Sequence, residues 1–137
     1  MGLRRKAREL ALQALYAIEI DPAGFRNSEG FWVAFEAEAH VLAFARELVQ
    51  GVIANREELD RVITGKSRNW ALTRMAKIDL NILRIGAFEL LHRPDIPKSV
   101  TINEAIDLAK RYSTAESGAF VNGILDKLRT HIRKDKS

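Results

Sequence analysis

The chain has 137 residues, of which 47% are hydrophobic and 29% are charged, and its formal net charge is +4. This length predicts one domain, residues 1–137, with enough apolar side chains to form a core. The absence of cysteine excludes disulfides and thiolate metal sites and favours a cytoplasmic location, and no apolar run reaches the ~20 residues that a membrane-spanning helix needs.

The positive charge lies at the two ends of the chain. Residues 1–13 carry four cations against one glutamate, and residues 127–137 carry five cations against one aspartate. The two ends together carry more positive charge than the net charge of the whole chain, so the middle of the chain is slightly acidic. We therefore expect an anionic partner that binds near the termini, and nucleic acid is the commonest partner of this kind.

Helical periodicity predicts an all-α chain of about six or seven helices, and no stretch alternates as a strand does. The first helix carries its apolar residues on one face, from Leu3 to Ile18, and a loop is predicted over Asp21–Gly30. A short apolar segment, Phe31–Ala39, comes next. The apolar seam from Val41 to Ile63 then predicts one long helix, which the segment TGKSRN ends.

The second half of the chain predicts three further helices. Met75–Leu91 is apolar around most of its circumference, which is typical of a helix surrounded by others. Thr101–Tyr112 is predicted to begin with a capping box between its first residue and Glu104. Ser113 and Glu116 form a second capping box, which predicts the start of the final helix.

Catalytic and metal-binding patterns are absent from the sequence. The three histidines are scattered and none has the HExxH spacing of a zinc site. No nucleophile, base and orienting group can be assembled into a catalytic set. We therefore expect no enzyme activity, no metal and no cofactor, and we interpret the chain as a binding protein.

The first helix combines residue types that suit RNA. A helical wheel places on its exposed side the residues Arg4, Arg5, Lys6, Arg8, Glu9, Gln13 and Tyr16. Cations contact phosphates, an aromatic ring stacks on an unpaired base, and an amide can read a base edge. The alternative is a solvated helix face whose tyrosine folds onto a neighbouring helix, and the residues alone leave both interpretations open.

Four separated blocks carry a family resemblance: RRKARELALQALY, ILRIGAFELL, TINEAIDLAKRY and FVNGILDKL. In this order and spacing they resemble the NusB family of bacterial transcription antitermination factors, from Arg4 to about Lys134. The resemblance implies a helical fold of two packed three-helix subdomains. It also implies binding to boxA, a segment of nascent single-stranded RNA, together with NusE, a small-subunit ribosomal protein. That pair joins an RNA polymerase complex that resists termination, chiefly on ribosomal RNA operons.

Carried over residue by residue, the resemblance implies RNA contacts at Arg4, Arg5, Lys6, Arg8, Gln13, Tyr16, Ser117 and Phe120. Glu116 lies at the same end of the last helix, but it should repel phosphate and is already explained as a cap. The segment SGAF departs from the family pattern there, since relatives often have a lysine at its third position. One basic contact is therefore missing from this chain. For Phe120, packing in the core is the alternative to an RNA contact.

Asp79 lies within the nearly all-apolar predicted helix, where an unpaired buried carboxylate is costly. It must be paired, hydrogen-bonded or at a surface, and an internal salt bridge or a cap is one interpretation. The resemblance aligns the position with one that faces NusE. We therefore expect Asp79 to be a protein-partner residue.

Two other functions stay open. A NusB-like domain also occurs fused to a ribosomal RNA cytosine methyltransferase, but 137 residues leave no room for a catalytic domain, so we do not expect that enzyme. The other is a non-catalytic helical adaptor whose basic ends serve solubility. The sequence leaves open whether the free protein forms a homodimer.

Overall fold

The structure is a computed structural model that describes residues 2–21, 38–66 and 75–135. In these ranges the chain forms six helices and no strand, and the helices are α1 (Gly2–Ile20), α2 (Ala39–Ala54), α3 (Arg56–Lys66), α4 (Lys77–His92), α5 (Lys98–Tyr112) and α6 (Ala115–Asp135). The predicted all-α class is confirmed. Nearly all of the predicted loop Asp21–Gly30 and of the segment Phe31–Ala39 lies outside the described residues. None of the described helices is long and apolar enough to cross a membrane.

Helix α4 is at the centre of the fold and packs against each of the other five helices. Every residue from Asp79 to Leu90 is buried, as the nearly continuous apolar sequence predicts. Two glycines allow close approach to α4. A Cβ atom on Gly51 of α2 would lie 2.2 Å from Cζ of Phe88, and one on Gly86 would lie 2.7 Å from Cδ1 of Leu125 in α6.

The two halves of the chain share one core. Helices α4, α5 and α6 pack on one another, α1 packs on α2, and α3 packs on α4 and α6 more than on α2. The buried apolar side chains form one continuous cluster that extends from Ala7 in α1 to Ile132 in α6. The three helices of each half are therefore joined through α4.

The long helix predicted over Val41–Ile63 is interrupted at Asn55, which is a correction to the sequence prediction. Helix α2 ends at Asn55 because its φ of −112° and ψ of 18° leave the helical range. The side-chain Nδ2 of Asn55 joins its backbone N–H on the carbonyl of Gly51, at 2.8 and 3.1 Å. Two glutamates then occupy the first turn of α3, where carboxylates interact favourably with the helix dipole. Leu59 and Ile63 remain buried beyond the break, so the apolar period continues across it.

Both predicted capping boxes are wrong. Helix α5 begins earlier than predicted, at Lys98, and the hydroxyl of Thr101 donates instead to Oε1 of Glu89 at 2.8 Å. At the start of α6 the backbone N–H of Ser117 donates to Oγ1 of Thr114 at 3.1 Å. The cap of α6 is therefore one residue later than predicted.

A candidate nucleic-acid interface on the first helix

Helix α1 turns one face to the core and leaves a polar face exposed, as the helical wheel predicts. Its buried apolar residues are Ala7, Leu10, Ala11, Leu12, Ala14 and Leu15. Of the residues predicted to contact RNA, those that are exposed on α1 are Arg4, Lys6, Gln13 and Tyr16. Tyr16 is 40% exposed, so its ring is accessible for stacking.

Arg8 lies inside the protein, and its predicted place on the exposed side of α1 is wrong. It is 2% exposed, and its Nε and Nη2 donate to the two carboxylate oxygens of Glu89 in α4, at 2.8 and 2.7 Å. The same carboxylate accepts the hydroxyl of Thr101. Burial of a guanidinium is tolerable here because a buried carboxylate pairs with it. Arg8 therefore joins α1 to α4 and is inaccessible to a phosphate.

Arg5 is partly exposed and is held by two carboxylates of α5. Its Nε and Nη2 donate to Glu104 at 3.2 and 2.7 Å, and Nη2 also donates to Asp107 at 2.7 Å. The hydrogen bonds with Glu104 raise the pKa of Arg5, and the same bonds lower the pKa of Glu104. Glu104 was predicted to be a helix cap, and the sequence carries no signal for this pairing, which joins residues 99 positions apart.

The N-terminal segment is less basic in the fold than in the sequence. We define the N-terminal charge cluster as Arg5, Arg8, Glu89, Glu104 and Asp107. Three carboxylates face two guanidinium groups in this cluster, which therefore has a net charge of −1. Arg4 and Lys6 remain as exposed cations of α1.

Phe44 of α2 holds the guanidinium of Arg4 in place. The guanidinium carbon of Arg4 is 5.4 Å from the centroid of the Phe44 ring, and that of Arg93, in the loop after α4, is 5.2 Å from it. Arg93 is also bonded to Asp95 and Glu47, at 2.9 and 2.7 Å. A cation–π contact uses the face of a guanidinium and leaves its N–H groups free to bind a phosphate. No pattern in the sequence connects Phe44 with the interface.

Helices α1 and α5 run in the same direction along this side of the molecule. One turn after Arg5, Glu9 accepts hydrogen bonds from Arg111 and Tyr112 at the end of α5. The bond with Glu9 raises the pKa of Tyr112. Gln13 lies about one turn of α1 beyond Glu9 and is exposed.

The start of α6 differs from the prediction. Ser117 is 7% exposed and its Oγ donates to Oδ2 of Asp79 at 2.9 Å, so the side chain predicted to contact RNA is buried. Phe120 is partly buried and packs against the core, in agreement with its alternative role. Glu116 and Ala119 are exposed. Ala119, at the position where relatives often have a lysine, is therefore accessible but uncharged.

Asp79 is buried, and its expected exposure to a protein partner is wrong. It is 9% exposed and lies in the first turn of α4, where a carboxylate is favoured by the helix dipole. The hydroxyl of Ser117 binds one of its oxygens. The other, Oδ1, is buried and accepts no hydrogen bond from the described residues. Asp79 is thus an internal residue with one carboxylate oxygen left unsatisfied.

In the described ranges 2–21, 38–66 and 75–135, no group of three or more His, Asp or Glu side chains could hold a metal ion. The exposed residues of α1 are suited to noncovalent contacts with phosphates and bases.

Comparison with known proteins gives one consistent result. Residues 5–130 match the sequence pattern of the NusB family. The transcription antitermination protein NusB of Trichlorobacter lovleyi is 54% identical over 129 residues, which cover 93% of this chain and 91% of the relative.

Solved structures agree with this result. T. maritima NusB superposes with a TM-score of 0.77 at 37% identity, over 93% of this chain and 90% of that one. A chain in the crystal structure of antitermination factors NusB and NusE in complex with dsRNA has a TM-score of 0.83 at 25% identity, over 96% of this chain and 98% of that one. The chain therefore belongs to the NusB family.

Proposed function

We propose that this protein is a cytoplasmic transcription antitermination factor that binds boxA-type single-stranded RNA together with NusE. In this proposal the pair joins an RNA polymerase complex, chiefly on ribosomal RNA operons. The observation that carries the proposal is the exposed set Arg4, Lys6, Gln13 and Tyr16 on one helix of a NusB-family chain. The relative from T. lovleyi is named an antitermination protein, and one matched structure contains NusB and NusE in complex with dsRNA, which supports NusE and RNA as classes of partner.

Each exposed residue has a distinct part in the proposed complex. Arg4 and Lys6 contact phosphates, and these contacts give affinity without reading sequence. Tyr16 stacks on an unpaired base, and the amide of Gln13 bonds to a base edge nearby. In this proposal Phe120, which is only partly buried, adds a contact near the start of α6.

A titration of boxA RNA and a scrambled control, with and without NusE, tests the proposal. We expect preference for boxA and tighter binding when NusE is present. Lys6→Ala should weaken RNA binding and lower the slope of log K against log salt by about 0.7, the value for one phosphate contact to a single strand. Arg61→Ala removes an exposed cation of α3 and should leave the slope unchanged.

One observation favours a second candidate function, a protein–protein adaptor. Two of the four N-terminal cations, Arg5 and Arg8, are already paired with carboxylates inside the fold. An adaptor predicts equal, weak binding to both RNAs and no effect of Lys6→Ala on the salt slope. That result, together with normal NusE binding, would replace the RNA proposal.

The predicted contact between Asp79 and NusE needs a separate experiment because its carboxylate is buried. Asp79→Lys places a cation in the interior and should destabilise the fold by about 3–5 kcal/mol if the residue is structural, which is the result we expect. A direct contact predicts a stable variant with much weaker NusE binding. Thermal unfolding and a NusE titration on the same purified variant distinguish the two roles.

A further inference from the structure

A shallow cleft of about 260 Å³ lies between α1 and α5, close to the exposed cations of α1. Its lining residues are Arg5, Glu104, Asp107, Leu108 and Arg111. Both arginines are bonded to carboxylates, Arg5 to Glu104 and Asp107 and Arg111 to Glu9. The guanidinium groups of Arg5 and Arg111 are the groups of this cleft that suit a phosphate, and both already bind carboxylates of the same chain.

The two carboxylates on Arg5 are held very differently. Glu104 is 11% exposed at its side chain, receives two hydrogen bonds from Arg5 and lies 3.6 Å from Nη1 of Arg8. Asp107 is 51% exposed at its side chain, and its contact with Arg5 is a single hydrogen bond to Nη2. Exposed ion pairs are weak because water solvates a released carboxylate readily. Asp107 is therefore the carboxylate that can leave.

We propose that Asp107 competes with the RNA phosphate for Arg5. In the free protein Asp107 accepts one of the two N–H groups of Nη2, while the other bonds to Glu104. On RNA binding a phosphate oxygen replaces Asp107, whose carboxylate turns to solvent. Carboxylate and phosphate oxygens accept the same guanidinium N–H groups with similar geometry, which makes the exchange possible. Glu104 keeps its bond to Nε and holds the guanidinium in the cleft throughout. This inference rests on the proposed RNA-binding function.

Asp107 then sets the affinity of the surface without contacting RNA. A phosphate that binds at Nη2 displaces this carboxylate, so Arg5 contributes less to RNA affinity than a cation without a carboxylate partner would. Removing the competitor should tighten RNA binding, and the gain should depend on Arg5. A general effect of net charge would not have that dependence.

Asp107→Asn tests the proposal, with Asp126→Asn as the matched control. Asp126 is 50% exposed at its side chain and pairs with Arg129 within α6, so both variants remove one exposed, arginine-paired charge. We expect Asp107→Asn to bind boxA RNA roughly two- to fivefold more tightly than Asp126→Asn, the range for one exposed ion pair. In an Arg5→Ala background the gain from Asp107→Asn should disappear. Helicity and thermal midpoints of all variants confirm that the fold is retained.

The outcomes separate this inference from the proposed function. If wild-type protein does not bind RNA, the proposed function is wrong and the inference is wrong with it. If wild-type protein binds but the two asparagine variants bind alike, or the gain persists without Arg5, competition by Asp107 alone is refuted. Weaker binding by Asp107→Asn would also refute it, because the carboxylate would then support the RNA site.

Discussion

Arg8→Met should destabilise the fold strongly, although Arg8 lies in the basic N-terminal stretch of the sequence. Arg8 is 2% exposed and its partner Glu89 is 1% exposed. Methionine occupies much of the same space, but it leaves the Glu89 carboxylate in the interior with the hydroxyl of Thr101 as its remaining donor among the described residues. Removing one member of a buried ion pair costs about 3–5 kcal/mol, because the remaining charge has neither water nor a counterion.

The size of this loss can be compared with the stability of the whole domain. Unfolding free energies of domains are about 5–15 kcal/mol, so Arg8→Met removes a large part of the stability. For a chain of this length the thermal midpoint should fall by roughly 10–15 °C. The double variant Arg8→Met/Glu89→Leu should be more stable than Arg8→Met, because apolar replacement of a whole buried pair is often neutral.

Urea unfolding followed by far-ultraviolet circular dichroism measures these free energies. Arg5→Met is the matched control, since its ion pairs lie one turn earlier and are partly exposed, and it should cost much less. If Arg8→Met and Arg5→Met unfold at the same urea concentration, the buried pair does not stabilise the fold as derived. If the double variant Arg8→Met/Glu89→Leu is less stable than Arg8→Met, the reasoning is contradicted in the same way.

Three further results are expected. If the Tyr16 ring stacks on a base as proposed, Tyr16→Ala should weaken RNA binding by about 1–3 kcal/mol and Tyr16→Phe much less. Equal affinities in an RNA titration would show that the tyrosine does not contact RNA. Gly51→Ala should lower the unfolding free energy by about 1–3 kcal/mol, because its Cβ would meet the Phe88 ring. Gly123→Ala has open space around it and should raise the unfolding free energy by about 0.5–1 kcal/mol, and thermal melts compare the two variants. Glu104→Gln should lower the unfolding free energy in full above pH 4.5, the ordinary pKa of the group, because the paired guanidinium lowers the pKa of Glu104 in the folded protein. In urea unfolding over a pH series, the difference between wild type and variant should shrink below pH 4.5 and disappear once the pH has fallen through this lowered pKa.

The helices could be predicted from the sequence because burial follows the apolar period. The clearest case is α4, whose apolar circumference predicted a surrounded helix, and Asp79–Leu90 are all buried. The break at Asn55 could not be predicted, since apolar residues continue on the same face in α3. The cap of α6 was ambiguous because Ser113 and Thr114 are neighbours that can both accept a backbone N–H.

The exposed part of the site was predictable and the paired part was not. A helical wheel locates Lys6 and Tyr16 correctly because their exposure depends on α1 alone. It places every charged side chain outward, and so it fails for Arg8, whose partner Glu89 lies 81 positions later. For Asp79 the resemblance favoured a surface position over an internal one, and the hydroxyl that binds it inside the fold comes from Ser117, 38 positions later.

The central place of α4 determines how the molecule can open. Each of the other five helices rests on α4, so none of them can detach without exposing part of its apolar surface to water. Backbone amides along Asp79–Leu90 should accordingly exchange their hydrogens only when the whole domain unfolds, while the ends of α1 and α6 exchange through local fraying. The first turn of α1, which carries the proposed phosphate contacts Arg4 and Lys6, thus belongs to the less protected part of the protein, and it can adjust to a ligand while the centre stays closed.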